Sequence, residues 1–476
     1  MFKEIRNFLS FEKIKNLLFI LFGVCIFFIS NTNGMFWDNI LFSSKMGNHL
    51  YLNSIFDWTI PDQFDPGHPP FLGFLLAISW KILGHTLWAA HLLMLPFTIG
   101  VFYQLFKFIS YFIEDQKSKI LAFLLIIADP TLSTQFVIVN PEVIIVFFFF
   151  LAINGILFNN KITKFIGLLL LSIVSFRSMM LFGGVFLFDV LNKHFIERKN
   201  LKLILNLKFL LFYFLSCLPG FIFVCWRLLT KGWLQTHPNS PWAGLWGFAD
   251  LKTFFKNCLL IVHRYVDFGR IFIFLFITIS FVFFGKKIIA TTKNKQILLI
   301  ALSSVIFIII VSLLSTNTFG HRYFIVSYIG FILLAFIILQ HFYKSKKILF
   351  SLLFVGLISG NLWVYPREMS QGWDATLAHI PYHALRIEAI DYLNNEKIDI
   401  EKVASFFPNL TTLDNIDFST DQRTFLKFNA KNKYVFYSNV YNLTDKQYEI
   451  LDTNYSVLKE FNKNNITVLI YILKEK

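Results

Sequence analysis

The chain has 476 residues, of which 56% are hydrophobic and only 15% are charged. One soluble core does not normally need so much apolar side chain, so the composition indicates a membrane protein. The formal net charge is +15, but the lysines and arginines are spread among short loops between apolar runs, which is a topology signal, and we expect no nucleic-acid partner.

Apolar segments that could cross a bilayer recur from Asn16 to Pro366 and then stop. Each crossing needs about 20 largely apolar residues. We predict eleven transmembrane helices, and we expect the first to be retained because no small-residue cleavage site follows it. The predicted spans are 16–32, 87–112, 120–137, 142–158, 164–178, 179–192, 207–228, 269–285, 297–315, 323–341 and 347–364.

Short loops rich in lysine set the predicted orientation of these spans. With the N-terminus in the cytoplasm, each of these loops, such as 117–119, 161–164 and 286–295, falls on the cytoplasmic face. That distribution is what the positive-inside rule requires. An odd number of spans then places the C-terminal part of the chain outside.

A long first external loop is predicted at 33–86, between the first two spans. Its apolar run from Phe71 to Leu83 is too short to cross a bilayer. Counting it as a span would also invert the charge bias of the later loops. We therefore predict a helix that lies along the outer membrane surface.

The composition becomes polar after residue 365, which divides the chain into a membrane domain (1–365) and a soluble external domain (366–476). Apolar residues keep helical spacing after Pro381, a residue that suits a first helical turn. The stretches 434–437 and 466–473 look like strands. The fold prediction is an α-helical polytopic membrane protein with a small C-terminal α/β domain.

Polar residues that could take part in catalysis or binding gather in the predicted first external loop. Asp38 follows the first span directly, and Asp65 and His68 lie in a Pro/Gly-rich turn. Solvated acids in such a turn need no function. Two acids and a histidine ahead of a helix that starts at a double proline also fit a concave acidic site.

Further polar residues stand at the predicted outer ends of later spans. Glu142 opens the fourth span, either as a favourable charge at a helix start or as a site residue. Arg177 and Arg322, the latter followed by Tyr323, are either interface anchors or ligands for a lipid phosphate. Asp129 and Pro130 inside the third span suit either a kink or a site.

Two stretches of the first loop resemble a pattern of the C-type glycosyltransferases. These are Phe36-Trp37-Asp38-Asn39 and Phe64-Asp65-Pro66-Gly67-His68-Pro69-Pro70-Phe71, with Trp80-Lys81-Ile82-Leu83-Gly84 closing the short helix. They are similar to glycosyltransferase family 39 and its relatives, the branch of protein O-mannosyltransferases and aminoarabinose transferases. The resemblance covers about residues 16–365 and is most specific at 36–84.

The resemblance implies a sugar transfer on the external face, in a bacterial inner membrane. The donor would be a polyprenyl-phosphate sugar, and the acceptor a hydroxyl of a protein Ser/Thr, a lipid or a glycan. Asp38 matches the family's catalytic acid, and inversion at the anomeric carbon is expected. Glu142 matches a second external acid, while Arg177, Arg322 and Tyr323 match positions expected at the donor phosphate. Because Asn39 stands where relatives commonly have Glu, Asp65 and Glu142 are both candidates for the partner acid.

Two questions stay open at this stage. A divalent cation held by Asp38, Asp65, His68 or Glu142 is one option, and a site without metal is the other. A transporter or lipid flippase is the alternative function. Such proteins commonly have two related halves and ion-binding residues near mid-membrane, whereas here the halves look unrelated and the polar residues cluster at one surface.

Overall fold

The computed structural model describes residues 2–244, 246–317 and 319–475, with side chains from Phe11 onward. The first half of the chain is helical. Its helices are α1 (Phe2–Ser30), α2 (Met46–Leu52), α3 (Phe71–Leu83), α4 (Leu87–Phe112), α5 (Gln116–Ile127), α6 (Pro130–Val137), α7 (Pro141–Leu157), α8 (Lys161–Val174), α9 (Phe176–Leu191) and α10 (Leu201–Ile204).

Helices continue to residue 359, and a mixed α/β domain follows. The remaining helices of the bundle are α11 (Leu207–Lys231), α12 (Leu251–Val266), α13 (Ile271–Ala290), α14 (Thr292–Ser303), α15 (Ile306–Leu314), α16 (Ile325–Phe342) and α17 (Lys346–Ser359). The C-terminal domain contains α18 (Pro381–Asn395), β1 (Val403–Ser405), α19 (Asp414–Asp417), β2 (Leu426–Lys427), β3 (Tyr434–Ser438), α20 (Asp445–Asn454), β4 (Tyr455–Lys463) and β5 (Ile466–Leu473).

Each of the eleven predicted spans coincides with a helix or a helix pair. In the described ranges, 7 helices are long and apolar enough to cross a membrane, or up to 8 if the bent pair α5–α6 is one span. The prediction of eleven spans is therefore higher than helix length and composition support. Helix α8, for example, has 14 residues and reaches roughly 21 Å, short of a hydrocarbon layer about 30 Å thick. The chain is an integral membrane protein.

The bend between α5 and α6 is explained by Asp129 and Pro130. The two helices meet at 75°, and Pro130 occupies the first turn of α6, where its missing N–H is not needed. Oδ1 of Asp129 accepts a hydrogen bond from the backbone N–H of Leu132 at 3.0 Å. Its other oxygen lies 3.0 Å from Nη1 of Arg270. This acid therefore caps and anchors a broken helix, which agrees with the kink interpretation.

Small residues let the helices of the bundle approach closely. A Cβ at Gly155 of α7 would lie 2.4 Å from the backbone nitrogen of Lys164 in α8. Gly220 of α11 lies even closer to Ser172 of α8, where a Cβ would meet its carbonyl oxygen. Close backbone packing of this kind is common between helices in membranes.

The C-terminal domain is built on one five-stranded sheet with the strand order β2-β1-β3-β5-β4. Strand β1 pairs in parallel with β2 and β3, while β5 pairs antiparallel with β3 and β4. The predicted helix after Pro381 and both predicted strands are confirmed. Phe36 from the first loop is 1% exposed and belongs to the apolar core of this domain. The first loop and the C-terminal domain therefore pack as one body around the residues near Asp38.

Candidate active site

A cavity of about 420 Å³ lies between the helix bundle and the C-terminal domain. Its wall is formed by the first loop, the start of α9, the loop before α12, the last turn of α12, helix α15, the turn at 321–324 and the segment 370–374. Five of the seven predicted site residues line it. They are Asp38, His68, Arg177, Arg322 and Tyr323.

Asp38 is positioned by a tight turn in the first loop, beyond the end of α1 at Ser30. The preceding Trp37 has a φ of 53°, a left-handed conformation that is costly for an aromatic residue and holds only where packing fixes it. The carbonyl of Asp38 accepts hydrogen bonds from the backbone N–H groups of Leu41 (3.0 Å) and Phe42 (2.9 Å). The backbone of Asp38 is thereby fixed while its carboxylate faces the cavity.

Arg322 connects three carboxylates. Its Nη2 atom lies 2.5 Å from Oδ2 of Asp38, and its Nε atom lies 3.2 Å from Oε1 of Glu142. Its Nη1 atom contacts Oδ2 of Asp374. The guanidinium is buried, so these ion pairs act in a low-dielectric environment where opposite charges attract more strongly than in water.

Glu142 lies behind the cavity wall and is bound from two sides. It is 3% exposed at the start of α7, and it pairs with Arg177 as well as with Arg322. The Arg177 guanidinium stacks on the Tyr323 ring at 4.2 Å. Both arginines are buried and paired, so neither extends into solvent as an interface anchor does.

His68 contacts the cavity as a neutral imidazole. Its Nδ1 accepts a hydrogen bond from the backbone N–H of Phe176 at 3.3 Å, which leaves the proton on Nε2. Burial lowers the pKa of His68 well below its ordinary value, and the positive charge of Arg177 lowers it further. This ring can donate a hydrogen bond without adding charge to the site.

Asp65 does not reach the cavity, which corrects its predicted place in the site. It is fully buried, and its Oδ2 lies 3.0 Å from Nη2 of Arg227 in α11. Its Oδ1 accepts a hydrogen bond from the backbone N–H of Gly67 at 2.8 Å. Burial raises the pKa of Asp65 while Arg227 opposes that rise. The role of Asp65 is to anchor the Pro/Gly turn to α11.

The four candidate metal ligands, Asp38, Asp65, His68 and Glu142, do not form one group. Asp65 is held by Arg227, away from the others. The Arg322 guanidinium contacts both Asp38 and Glu142, where a divalent cation would be repelled. In the described part of the chain, the residues that could coordinate a metal ion together are His263, Asp267 and His321, whose potential ligand atoms lie within 4.8 Å of one another. Asp38, Asp65, His68 and Glu142 are thus not arranged to hold one divalent cation.

Asp374 is a site residue that the sequence did not reveal. Its carbonyl accepts a hydrogen bond from Nε2 of Gln135 at 2.7 Å, and the next carbonyl accepts one from Oγ1 of Thr131 at 3.3 Å. The C-terminal domain thus places a carboxylate in the cavity by resting on α6. A weak signal exists in the sequence, since Trp373-Asp374 repeats the Trp37-Asp38 pair.

Arg264 also lines the cavity, from the last turn of α12. It donates a hydrogen bond from Nε to the carbonyl of Phe319 at 3.2 Å, and within the described ranges it forms no ion pair. Burial lowers the pKa of Arg264, and the negative charge of Asp267 opposes this shift. The pKa of Asp267 falls to about 2, because hydrogen bonds from His321 and Tyr365 outweigh the effect of burial. The Nη1 atom of Arg264 lies 3.4 Å from Nε2 of His321. Unlike Arg177 and Arg322, Arg264 has no carboxylate partner among the described residues, so its charge can meet an anion.

No family model and no curated protein matches the sequence. Among solved structures, ArnT from Cupriavidus metallidurans bound to undecaprenyl phosphate matches with a TM-score of 0.53 at 11% sequence identity. That match covers 95% of this chain and 97% of the other. The chain has the fold of ArnT. The apo state of the same protein matches with a TM-score of 0.51, also at 11% identity and with the same coverage.

The likeness to ArnT extends over nearly the full length of both chains. It therefore includes the C-terminal domain as well as the helices. At 11% identity the match is one of fold alone.

Proposed function

We propose that this chain is a membrane glycosyltransferase that moves a sugar from a polyprenyl-phosphate donor to a hydroxyl acceptor. The observation that carries the proposal is the cavity in which the carboxylates of Asp38 and Asp374 share a wall with the guanidinium of Arg264, which no carboxylate among the described residues neutralises. An acid to take a proton and a cation to receive a phosphate are the two groups that this transfer needs. An ArnT structure with the same fold is bound to undecaprenyl phosphate.

Asp38 is proposed as the general base. The acceptor oxygen attacks the anomeric carbon as its proton passes to the carboxylate of Asp38, and the bond from that carbon to the phosphate oxygen breaks. The electron pair leaves with the lipid phosphate from the opposite face, so the configuration inverts. Arg322 holds Asp38 in place for this step, which is a positioning role.

The donor phosphate is proposed to bind Arg264. The resemblance to family 39 pointed to Arg177, Arg322 and Tyr323, but Arg322 contacts three carboxylates and Arg177 is paired with Glu142. Arg264 has no such partner among the described residues, and a planar guanidinium can donate to two phosphate oxygens at once. Arg177 and Tyr323, stacked on each other, complete the wall beside it.

The proposed location is a bacterial inner membrane with a cytoplasmic N-terminus. The cavity and residues 366–476 then lie on the external side, where lipid-linked sugars replace nucleotide sugars as donors. Membrane lipids surround the exposed apolar faces of the helices. The acceptor hydroxyl belongs to a protein Ser/Thr, a lipid or a glycan.

An assay of the purified full chain with a panel of polyprenyl-phosphate sugars tests the proposal. We expect release of the lipid phosphate, stoichiometric sugar transfer and an inverted anomeric configuration by NMR. An Asp38→Asn protein serves as the inactive control. If no lipid-linked sugar were consumed while a nucleotide sugar was, the proposed donor class would be wrong.

A further inference from the structure

A second cavity, of about 830 Å³, lies where the helix bundle meets the C-terminal domain. We call it the junction crevice. Its wall includes Asn33 after α1, Asn361 after α17, Pro381 and His383 of α18, and Lys463 at the turn between β4 and β5. The described residues that line it are all different from those that line the cavity of Asp38. The junction crevice is therefore a separate site.

The charge of the junction crevice favours an anion. Lys463 is the one charged residue among the described residues of its wall, and none of them is acidic. Helix α18, which has 15 residues, starts at Pro381 in this wall and has no side-chain cap. The N-terminus of a helix carries a partial positive charge and attracts phosphate or carboxylate groups.

Two buried polar side chains in the same wall lack partners. Asn33 is 6% exposed and His383 is 7% exposed. Nδ2 of Asn33 and Nε2 of His383 have no hydrogen-bond partner within the described ranges. Buried polar groups are nearly always hydrogen-bonded in folded proteins. Their orphaned atoms point to a polar ligand, independently of the helix terminus.

The mouth of the junction crevice is apolar and exposed. Leu362 and Ile387 line it and are 76% and 46% exposed. Ile29, in the last turn of the apolar helix α1, is 64% exposed. Exposed apolar side chains at the end of a membrane-crossing helix meet acyl chains. A ligand that fits both the apolar mouth and the polar interior is an amphiphile.

We propose that the junction crevice binds the anionic phosphate headgroup of a membrane lipid, whose acyl chains lie along Ile29 and Leu362. The headgroup would receive hydrogen bonds from Asn33 and Lys463. This inference rests on the crevice and goes beyond the transferase proposal.

A bound headgroup would also stabilise the position of the first loop, which carries Asp38. Asn33 stands five residues before Asp38. Between them, the Phe36 ring stacks on His379 with centroids 4.6 Å apart and meets His383 at 5.6 Å. Lipid in the junction crevice would therefore hold the first loop against α18 and stabilise the junction of the two domains.

The test uses the full chain, purified and delipidated in a neutral detergent. Native mass spectrometry counts bound lipid, and thermal unfolding reports stabilisation. The probes are phosphatidylglycerol, a diacylglycerol with the same acyl chains, and inorganic phosphate. We expect phosphatidylglycerol to bind and to raise Tm by several degrees, while the other two probes do neither.

Three variants assign the binding to the junction crevice. Ala384→Trp, at an exposed position of its wall, fills the space, and Lys463→Glu reverses the charge. Each should weaken phosphatidylglycerol binding about tenfold or more. Lys431→Glu makes the same charge change at an exposed position outside the crevice and should bind as the wild type does.

Three results would overturn the proposal. The first is unchanged phosphatidylglycerol binding in both crevice variants. The second is equal binding of diacylglycerol, which would remove the phosphate from the recognition. The third is binding of inorganic phosphate as tight as that of the lipid, which would show that the crevice recognises free phosphate and not a membrane lipid. None of these readouts depends on sugar transfer, so the test is independent of the proposed enzyme activity.

Discussion

Nη2 of Arg322 lies 2.5 Å from Oδ2 of Asp38, although the two residues are 284 positions apart in the chain. The contact joins the first loop to the start of the helix that continues as α16. It holds the carboxylate in one orientation at the cavity surface. A fixed carboxylate of this kind is suited to accept a proton from a bound hydroxyl group.

Asp38→Asn should abolish most of the sugar transfer without unfolding the protein. The substitution preserves the shape of the side chain and removes its basicity. Arg322 keeps Glu142 and Asp374 as partners, so no unpaired buried charge results. General-base catalysis typically contributes ~10² to 10⁴-fold, and we expect a loss of at least ~100-fold in the transfer rate.

A matched control for Asp38→Asn is Asp57→Asn. Asp57 is an exposed acid of the same loop, and its contribution to transfer should be close to zero. A well-folded Asp38→Asn protein with a near wild-type rate would remove Asp38 from the mechanism. The search would then move to Asp374.

Arg264→Ala should raise the apparent KM for the lipid-linked donor by about tenfold or more, because a charge-assisted hydrogen bond to phosphate is worth roughly 1.5–3 kcal/mol. Arg264→Lys should recover part of this loss, since Lys keeps the charge but not the paired donors. Lys256→Ala, at an exposed position of the same helix, is the control. Equal donor KM values for all three variants and the wild type would exclude Arg264 as the phosphate ligand.

Asp65→Ala and Arg227→Ala should each lower the thermal stability strongly. Removal of Asp65 leaves Arg227 buried without an ion-pair partner among the described residues, which costs about 3–5 kcal/mol. Removal of Arg227 leaves Asp65 only the more distant Lys231, at 3.8 Å. The double variant should be destabilised by much less than the sum of the two. Asp62→Ala, which breaks the more exposed pair with Lys231, should cost at most about 1 kcal/mol. Additive effects of Asp65→Ala and Arg227→Ala on Tm in detergent would contradict the anchoring role.

Periodicity and composition predicted the helices, the surface run at 71–83 and the C-terminal α/β domain, because long apolar runs and strand patterns are local signals. The grouping of Asp38, Arg177 and Arg322 was predicted because the expected topology places all three on the same side of the membrane. The sequence could not show that Asp65 pairs with Arg227, since that contact depends on how the first loop packs on α11. It also could not show that Asp374 returns to the cavity from the C-terminal domain.

Acid should destabilise the domain junction through His379. Burial lowers the pKa of His379 from its ordinary 6.5 to about 4, against the raising effect of its hydrogen bond to the Thr376 carbonyl. The unfolded chain therefore binds the proton more readily, and stability falls as the pH drops from 6.5 toward 4. This difference in pKa between the unfolded and the folded chain corresponds to a loss of about 3 kcal/mol of stability at most.

The measurement is Tm in detergent at pH 7, 6, 5 and 4 for the wild type and for His379→Asn. Asn can still donate to the Thr376 carbonyl but does not titrate in this range. The variant should lose less stability than the wild type between pH 6.5 and 4, and the two should respond alike to pH above 7. An equal slope of Tm against pH in both proteins would show that His379 is not the titrating group.

Exposed single cysteines should report the proposed orientation of the chain in intact cells. Suitable positions are Asn53 in the first loop, Lys431 in the C-terminal domain and Lys295 at the start of α14, which are all exposed. A reagent that cannot cross the membrane should label cysteines at 53 and 431, while 295 reacts only after the membrane is opened. Wild-type protein, in which Cys217, Cys225 and Cys258 are partly buried and Cys25 lies within the apolar helix α1, measures the background. Labelling at 295 from outside together with protection at 53 would invert the orientation and place the cavity of Asp38 in the cytoplasm, where nucleotide sugars would have to be considered as donors.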